Sequence, residues 1–254
     1  MIRHLPTPAV IAHRGASACA PENTISAFNL AVSQKADAIE LDVQLSADGE
    51  IIVFHDLTAG RLTSYNGLIR DLKLSKIKEL DVGSHFGQAF QGESIPQLSE
   101  VLAQPGMLPI NIELKGFGIN PQKFVKSVIA AVKYYDWSDR VLISSFKLIH
   151  ILCSYQAASD LKYALILPSP FGSLLLRTGL IKFLPLVSVH IPFLSATQRL
   201  ISKIHSFGMK AFVYTLNSPK KIRLVLEAGA DGFFTDNPDL GRKTVLAFSG
   251  TGQD

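Results

Sequence analysis

The sequence predicts an α/β fold in which eight strands alternate with helices and close into a barrel, with a small insertion after the second strand. About eight short apolar segments alternate with helical patterns, which is typical of a parallel α/β sheet. The length of 254 residues suits closure, because such barrels hold about 250 residues. No repeat, low-complexity tract or linker divides the chain. We therefore expect residues 1–254 to form one domain.

The first unit is predicted to be a strand, a loop and a helix. The strand covers Ala9–Ala12 and runs into the loop that begins with His13. The helix is expected to begin near Asn23, because asparagine is a favoured N-cap residue. A second strand is then predicted at Asp37–Val43.

The second strand carries two carboxylates on one face. Alternate side chains of a strand share a face, so Glu40 and Asp42 point together, away from the apolar residues between them. The turn at Asp48-Gly49 predicts a hairpin, because glycine tolerates the positive φ that a two-residue loop requires. The return strand then brings His55 beside the two carboxylates.

A long glycine-rich insertion at residues 57–97 follows, with one short helical run predicted at Ser75–Asp81. Long irregular connections in compact domains are often lids or binding loops, so we expect this one to cover the site. The alternating segment Pro109–Lys115 predicts the third barrel strand. The other predicted elements are helices at Leu98–Ala103, Pro121–Tyr135, after Phe146, at Ala196–Phe207 and Pro219–Glu227, strands at Val141–Ser144, Tyr163–Leu167, Leu186–Val189, Lys210–Thr215 and Gly232–Thr235, and a frayed tail after Thr244.

Ionisable side chains gather where the first three barrel strands end. Barrels of this kind place their catalytic residues at the carboxyl ends of the strands. Buried charges must be paired or metal-bound to offset desolvation, so the pattern indicates a functional site. The candidates are His13 and Arg14 after strand one, Glu40 and Asp42 on strand two, His55 after the hairpin, and Glu113 and Lys115 on strand three.

These residue types suit metal-assisted cleavage of a phosphate ester. The carboxylates of Glu40, Asp42 and Glu113, together with water, suit a hard divalent ion such as Ca²⁺ or Mg²⁺ better than zinc. Arg14 and Lys115 supply positive charge for an anionic phosphate oxygen. The two histidines come from separate segments, so they could flank a substrate as general base and general acid.

Several segments resemble motifs of the glycerophosphodiester phosphodiesterase (GDPD) family. They occur in the family's order between Ala12 and Pro238 and read HRGASACAPENTISAF, IELDVQLSADGEIIVFHD, IPQLSEVL, NIELK, VYTLNSP and AGADGFFTDNPD. The resemblance implies a (β/α)8 barrel of TIM type that hydrolyses glycerophosphodiesters, such as glycerophosphocholine or glycerophosphoethanolamine, to sn-glycerol 3-phosphate and an alcohol. It implies the metal ligands Glu40, Asp42 and Glu113, the acid/base pair His13 and His55, and the phosphate-binding residues Arg14 and Lys115.

The mechanism implied by the resemblance uses the glycerol 2-hydroxyl of the substrate as the first nucleophile. One histidine removes its proton while the other protonates the departing alcohol, and water then opens the cyclic phosphate. Our hypothesis makes His13 the base and His55 the acid. The chain departs from the family at Tyr214-Thr215, where a Trp-Thr pair is usual, so the aromatic wall is kept while substrate preference is put in doubt.

Two alternative functions stay open. The apolar stretch Pro168–Phe193 is either a core-packing helix or a hydrophobic rim that admits lysophospholipid tails or touches a membrane. The second possibility would favour lysophospholipase D-type cleavage. A non-catalytic barrel that binds phosphodiesters is the other alternative, although the complete set of histidines and carboxylates weighs against it. The sequence does not indicate an oligomeric state.

Other features of the sequence carry weaker signals. No GxSxG, GxxxxGK[ST] or GxGxxG motif supports a serine hydrolase or a nucleotide-binding protein, and no basic stripe with aromatics predicts nucleic-acid binding. The net charge of +4 supports only mild attraction for anions. Two distant cysteines, no signal-peptide pattern and no long apolar window favour a cytoplasmic protein. The histidines expected to be structural or at the surface are His4, His85, His150, His190 and His205.

Overall fold

A computed structural model describes residues 5–116, 120–168, 175–176 and 178–250. Within these ranges, short runs rich in branched apolar residues form nine strands, because such side chains pack well on a pleated surface. The strands are β1 (Ala9–His13), β2 (Ala38–Leu45), β3 (Ile51–Val53), β4 (Ile110–Leu114), β5 (Val141–Ser145), β6 (Lys162–Ile166), β7 (Ser188–Pro192), β8 (Lys210–Tyr214) and β9 (Gly232–Thr235).

Eight of these strands are parallel and close into a TIM barrel. Hydrogen bonds join β4 through β9 in sequence order, β2 pairs with β4, and β1 closes the barrel by pairing with both β2 and β9. The remaining strand, β3, is antiparallel to β2, with Val43 opposite Val53. The predicted fold class is therefore confirmed, with one extra strand bonded to the second strand of the barrel.

Helices connect successive strands and cover the outer, apolar face of the barrel. Their buried side chains, among them Phe28 and Phe124, form one core cluster with outward-facing strand residues such as Leu41 and Ile112. A second cluster, which includes inward-facing residues of six strands, Phe212 among them, fills the barrel. The helices are α1 (Ile25–Ser33), α2 (Leu74–Ile77), α3 (Leu98–Leu102), α4 (Pro121–Tyr134), α5 (Leu148–Ala157), α6 (Gln198–Ser206), α7 (Pro219–Glu227) and α8 (Pro238–Gly250).

The insertion at residues 57–97 has an apolar cluster of its own. It contains α2 and short 3-10 turns at Ala59–Arg61, Ile69–Asp71 and Gln88–Phe90. Ser26 of α1 donates a hydrogen bond of 2.6 Å to Glu93, which links the insertion to the first helix. The cluster consists of Ile52, Phe54, Ala59, Leu62, Ile69, Ile77, Val82 and Ile95.

Three local predictions are wrong in detail. Thr24, not Asn23, caps α1, because the Thr24 hydroxyl accepts a hydrogen bond from the backbone N–H of Ala27. The hairpin loop is longer than two residues, since Ser46 N donates to the carbonyl of Glu50 with Gly49 at φ +88° between them. The predicted helical run at Ser75–Asp81 is shorter, because α2 ends at Ile77.

The carboxyl-terminal part also differs from the prediction. Instead of fraying after Thr244, the chain continues as helix α8 to Gly250, with Val245 buried against the core. Of the apolar stretch Pro168–Phe193, residues 169–174 and 177 lie outside the described residues, and a hydrophobic rim there stays a prediction. Within the described ranges, the structure contains no helix with the length and hydropathy needed to cross a bilayer. Cys19 and Cys153 are free thiols.

Candidate active site

The register of β2 and β4 brings the three predicted carboxylates together. Glu40 lies beside Asn111 and Asp42 beside Glu113, and strand alternation turns all four side chains into the barrel. One carboxylate oxygen from each of Glu40, Asp42 and Glu113 lies within 4.8 Å of the others. All three carboxylates are buried.

Burial and mutual repulsion make this acidic cluster a suitable place for a cation. Burial, with the charges of Asp42 and Glu113, raises the pKa of Glu40 well above its usual range. Burial and Asp42 also raise the pKa of Glu113 to about 7. Burial opposes ionisation of Asp42, but Lys115 and Arg14 outweigh it and lower its pKa to about 2. In the part of the chain that the structure describes, Oε1 of Glu40 has no hydrogen-bond partner. The cluster therefore fits a divalent ion, which would offset the repulsion.

The two predicted phosphate-binding residues lie at the edge of the acidic cluster. Nζ of Lys115 is 3.1 Å from Oδ1 of Asp42 and 2.5 Å from Oε1 of Glu113. The backbone N–H of Arg14 donates to Glu40 over 2.9 Å. Nε of Arg14 is 3.3 Å from Oδ2 of Asp42, so both side-chain cations lie close to carboxylates.

The loop that carries Arg14 depends on the glycine that follows it. Gly15 has φ +85°, a conformation that favours glycine, and a Cβ there would lie 2.7 Å from the backbone of Ala27. This close approach of the loop to α1 holds Arg14 beside β2. The motif His13-Arg14-Gly15 thus combines two site residues with the residue that shapes their loop.

Each predicted acid/base histidine is held by a carboxylate. Nδ1 of His13 lies 2.6 Å from Oδ1 of Asp236, and Nδ1 of His55 lies 2.6 Å from Oδ1 of Asp56. A carboxylate on Nδ1 fixes the ring orientation and leaves Nε2 for proton transfer. Sequence reasoning did not assign Asp236 to the site, although it lies in the segment TDNPD. Asn217 also donates a hydrogen bond to Asp236.

A second missed group, Arg61 of the insertion, connects the two halves of the site. Its Nη1 and Nη2 donate to the two oxygens of Glu22 over 2.9 and 2.7 Å, and its Nε donates to Asp56 over 2.5 Å. Glu22 in turn accepts from Arg14 over 2.9 Å. Arg61 therefore joins the carboxylate that holds Arg14 to the carboxylate that holds His55.

Asn23 contributes to the acidic cluster rather than to the cap of α1. Its side-chain amide donates to Oδ2 of Asp42 over 2.9 Å, and its carbonyl oxygen accepts from the backbone N–H of Asp42. Asn23 therefore holds Oδ2 of Asp42, whereas the Lys115 ammonium lies near Oδ1. The signal was hidden because the partner lies 19 positions away.

All of the predicted site residues except Asp42 line a cavity of about 180 Å³, the central cavity, at the carboxyl end of the barrel. Tyr214 forms part of its wall, packs edge-on against Phe146 at 6.2 Å between ring centroids, and donates to the carbonyl of Leu167. Burial raises the pKa of Tyr214 to about 12, so its hydroxyl stays neutral. His190, which the sequence placed among structural or surface histidines, is buried and lines the cavity.

Two further recesses adjoin the central cavity, one beside His13 and the other beside His55. One, of about 390 Å³, adjoins His13 and is lined by polar groups, including Ser17 and Asn217. The other, of about 400 Å³, adjoins His55 and is lined mainly by apolar surface from residues such as Leu57 and Phe146. A substrate with two arms around a central phosphate could therefore extend past either histidine.

A TIM barrel with an acidic cluster, two carboxylate-held histidines and two cations at its carboxyl end is typical of a hydrolase that acts on phosphate esters. The profile of the glycerophosphoryl diester phosphodiesterase family matches residues 13–240. The chain is 37% identical over 236 residues to a glycerophosphodiester phosphodiesterase of Caldanaerobacter subterraneus subsp. tengcongensis, covering 91% of this chain and 94% of the relative. The chain belongs to the glycerophosphoryl diester phosphodiesterase family and is an enzyme, a phosphoric diester hydrolase.

Structural and more distant relatives agree with this assignment. A solved phosphodiesterase of Oleispira antarctica, in complex with the product sn-glycerol-3-phosphate, superposes with a TM-score of 0.84 at 30% identity, covering 94% of this chain and 97% of that one. A mouse protein named lysophospholipase D GDPD1 is 28% identical over 263 residues, covering 90% of this chain and 83% of the relative.

Proposed function

We propose that the enzyme is metal-dependent and hydrolyses glycerophosphodiesters, such as glycerophosphocholine, to sn-glycerol 3-phosphate and an alcohol. The observation that carries this proposal is the pair of carboxylate-held histidines that line one cavity together with the acidic cluster. Two oriented imidazoles can move protons at both ends of a displacement at phosphorus. The product bound by the Oleispira antarctica relative supports the choice of substrate.

The proposed metal ligands are Glu40, Asp42 and Glu113. Their oxygens suit Mg²⁺ or Ca²⁺, and three carboxylates leave further coordination positions for water or substrate oxygen. When bound, the ion would supply positive charge that stabilises the negative charge developing on the phosphate. Arg14 and Lys115 add fixed positive charge beside the same position, so we assign them to the phosphate oxygens.

The proton transfers are assigned to the two histidines. Nε2 of His13 takes the proton from the glycerol 2-hydroxyl as that oxygen bonds to phosphorus, and Nε2 of His55 gives a proton to the alcohol oxygen as its bond to phosphorus breaks. Water then attacks the cyclic phosphate with the roles exchanged, and the bond between phosphorus and the glycerol 2-oxygen breaks. Asp236 and Asp56 stabilise whichever ring is protonated. Tyr214 forms an aromatic wall for the substrate.

The proposal is tested by measuring sn-glycerol 3-phosphate released from glycerophosphocholine by the purified protein, first in EDTA and then with Mg²⁺ or Ca²⁺ added. Release restored by metal is the expected result. Folded protein that releases nothing with either ion contradicts the proposal. Lysophosphatidylcholine is assayed in parallel, because the mouse relative supports lysophospholipase D-type cleavage as a second candidate.

Asp236→Asn is expected to lower kcat at least about tenfold, because an amide can donate to Nδ1 of His13 and favour the ring tautomer that lacks a basic Nε2. KM should change little, since the phosphate-binding groups are retained. The check is steady-state kinetics with the unfolding temperature measured alongside. An unchanged kcat would show that Asp236 does not orient His13.

Arg61→Lys is expected to lower kcat/KM by roughly threefold and Arg61→Ala by about tenfold, because only the guanidinium can bind both Glu22 and Asp56. Arg70→Lys is the matched control, since Arg70 also lies in the insertion and is paired with a carboxylate, that of Asp71. A double-mutant cycle with Asp56→Asn completes the test. Fully additive effects would contradict action through Asp56.

A further inference from the structure

Two buried polar side chains of the central cavity have unused hydrogen-bonding atoms. Asn111 and His190 both line the cavity, and each is 1% exposed. Among the described residues, no hydrogen-bond partner is present for the side-chain oxygen and nitrogen of Asn111 or for Nε2 of His190. Native proteins pair nearly all buried polar atoms. These atoms therefore indicate a ligand that enters the cavity.

The two side chains come from opposite parts of the barrel and lie deep in it. Asn111 is level with Glu40 in the register of β2 and β4, one inward-facing position below Glu113. His190 lies on β7 and packs on the rings of Phe212 and Phe234, with centroid distances of 5.8 and 4.8 Å. Together they form the polar floor of the cavity.

The polar floor suits uncharged hydroxyl groups. Burial lowers the pKa of His190 to about 3, so the ring is neutral and its nitrogens can donate or accept. The Asn111 amide also offers both a donor and an acceptor. The apolar wall residues Ile166 and Phe234 suit the carbon atoms of a short polyol.

The central cavity, of about 180 Å³, is large enough to admit several non-hydrogen atoms. Arg14 and Lys115 line its edge, whereas Asn111 and His190 lie deeper. A substrate whose phosphate lies near Arg14 and Lys115 therefore has its glycerol moiety directed inward.

We propose that Asn111 and His190 bind the terminal hydroxyl of the substrate's glycerol moiety and so select diesters whose glycerol carries no acyl chain. This inference rests on the proposed function and names its substrate class. Beyond the polar floor, the barrel is filled by apolar side chains such as Ile11, Leu142 and Phe212. An acyl chain on the terminal oxygen therefore has no space in which to extend.

The test compares the binding of sn-glycerol 3-phosphate with that of inorganic phosphate, measured as inhibition constants in the presence of metal. His190→Phe and Asn111→Leu are each expected to weaken the binding of sn-glycerol 3-phosphate about tenfold relative to the binding of phosphate, because a buried hydroxyl of the ligand loses its partner. His190→Gln, which keeps a polar group, should retain most of the preference. Ser188→Ala is the matched control, because Ser188 lies on the same strand, has a buried hydroxyl without a partner in the described part of the chain, and does not line the cavity.

Wild-type enzyme supplies a second measurement that needs no folded variant. It should cleave glycerophosphocholine with a kcat/KM at least about tenfold above that for monomeric lysophosphatidylcholine. Equal rates on the two substrates, or an unchanged binding ratio in both apolar variants, overturn the polar-floor proposal while leaving the phosphodiesterase function intact. If the wild type releases no sn-glycerol 3-phosphate, the proposed function fails, and the inference fails with it.

Discussion

Replacing His13 or His55 by alanine is expected to lower kcat by about 100-fold or more, because a positioned proton donor or acceptor contributes roughly 10²- to 10⁴-fold to a reaction. Both rings belong to the site by geometry: each lines the central cavity and each has a carboxylate 2.6 Å from Nδ1. The effect should appear in kcat rather than KM, since neither ring is assigned to ground-state binding. Steady-state kinetics on glycerophosphocholine provides the measurement.

His205→Ala is the matched control for both histidine variants. His205 also has a carboxylate partner, Asp231 at 2.7 Å, but it is exposed on α6. Its removal should leave kcat unchanged. Near-wild-type turnover in His13→Ala or His55→Ala would remove that histidine from the mechanism. If the two rings act in one sequence of proton transfers, the kcat of the double variant should be only slightly below that of the less active single variant.

Replacing Glu40 by glutamine is expected to weaken metal binding by about 100-fold or more, because loss of outer-shell partners alone typically costs 10- to 100-fold. Catalysis at limiting metal should fall accordingly and recover in part with excess Mg²⁺ or Ca²⁺. Calorimetric titration of the metal provides a reading independent of turnover. Glu79→Gln is the control, because Glu79 is an exposed carboxylate paired with Lys76 in the insertion.

The same variant should have the opposite effect on stability when metal is removed. The pKa of Glu40 is raised in the folded protein by burial and by two neighbouring carboxylates, so its ionised form destabilises the fold at neutral pH. In EDTA, Glu40→Gln should raise the unfolding temperature by about 2–4 °C, as expected for roughly 1 kcal/mol in a chain of this size. Lower stability in EDTA, with unchanged metal affinity, would contradict the assignment of Glu40 as a ligand.

Those parts of the fold and site that depend on local pattern could be predicted from the sequence. Alternation along β2 and β4 turns Glu40, Asp42 and Glu113 to one side, and the closure of a parallel barrel makes those strands neighbours. The predicted strands therefore agree with the structure within about two residues, except that β7 ends at Pro192 rather than at Val189, and the candidate ligands lie together. Helix α8 was not predicted, even though Pro238 at its start is a residue favoured at the first helical position.

The rest of the site depends on contacts between distant positions that carry no local signal. Asp236 holds His13 across 223 positions, and Arg61 reaches Glu22 across 39. Asparagine is a favoured helix N-cap residue, so Asn23 was predicted to be the cap, yet its amide binds the carboxylate of Asp42. His190 was not assigned to the site because no charged residue lies at ligand spacing from it in the sequence, and the burial that lowers its pKa and keeps the ring neutral has no local signal.

The attachment of the insertion has a consequence for protein engineering. Its apolar cluster is separate from the clusters that fill and cover the barrel, whereas Arg61 binds carboxylates on both sides of the site. We expect the remaining loops between residues 62 and 97 to tolerate redesign or exchange with those of relatives, provided that Arg61 and its apolar support are retained. We therefore expect these loops to be exchangeable without repacking of the barrel.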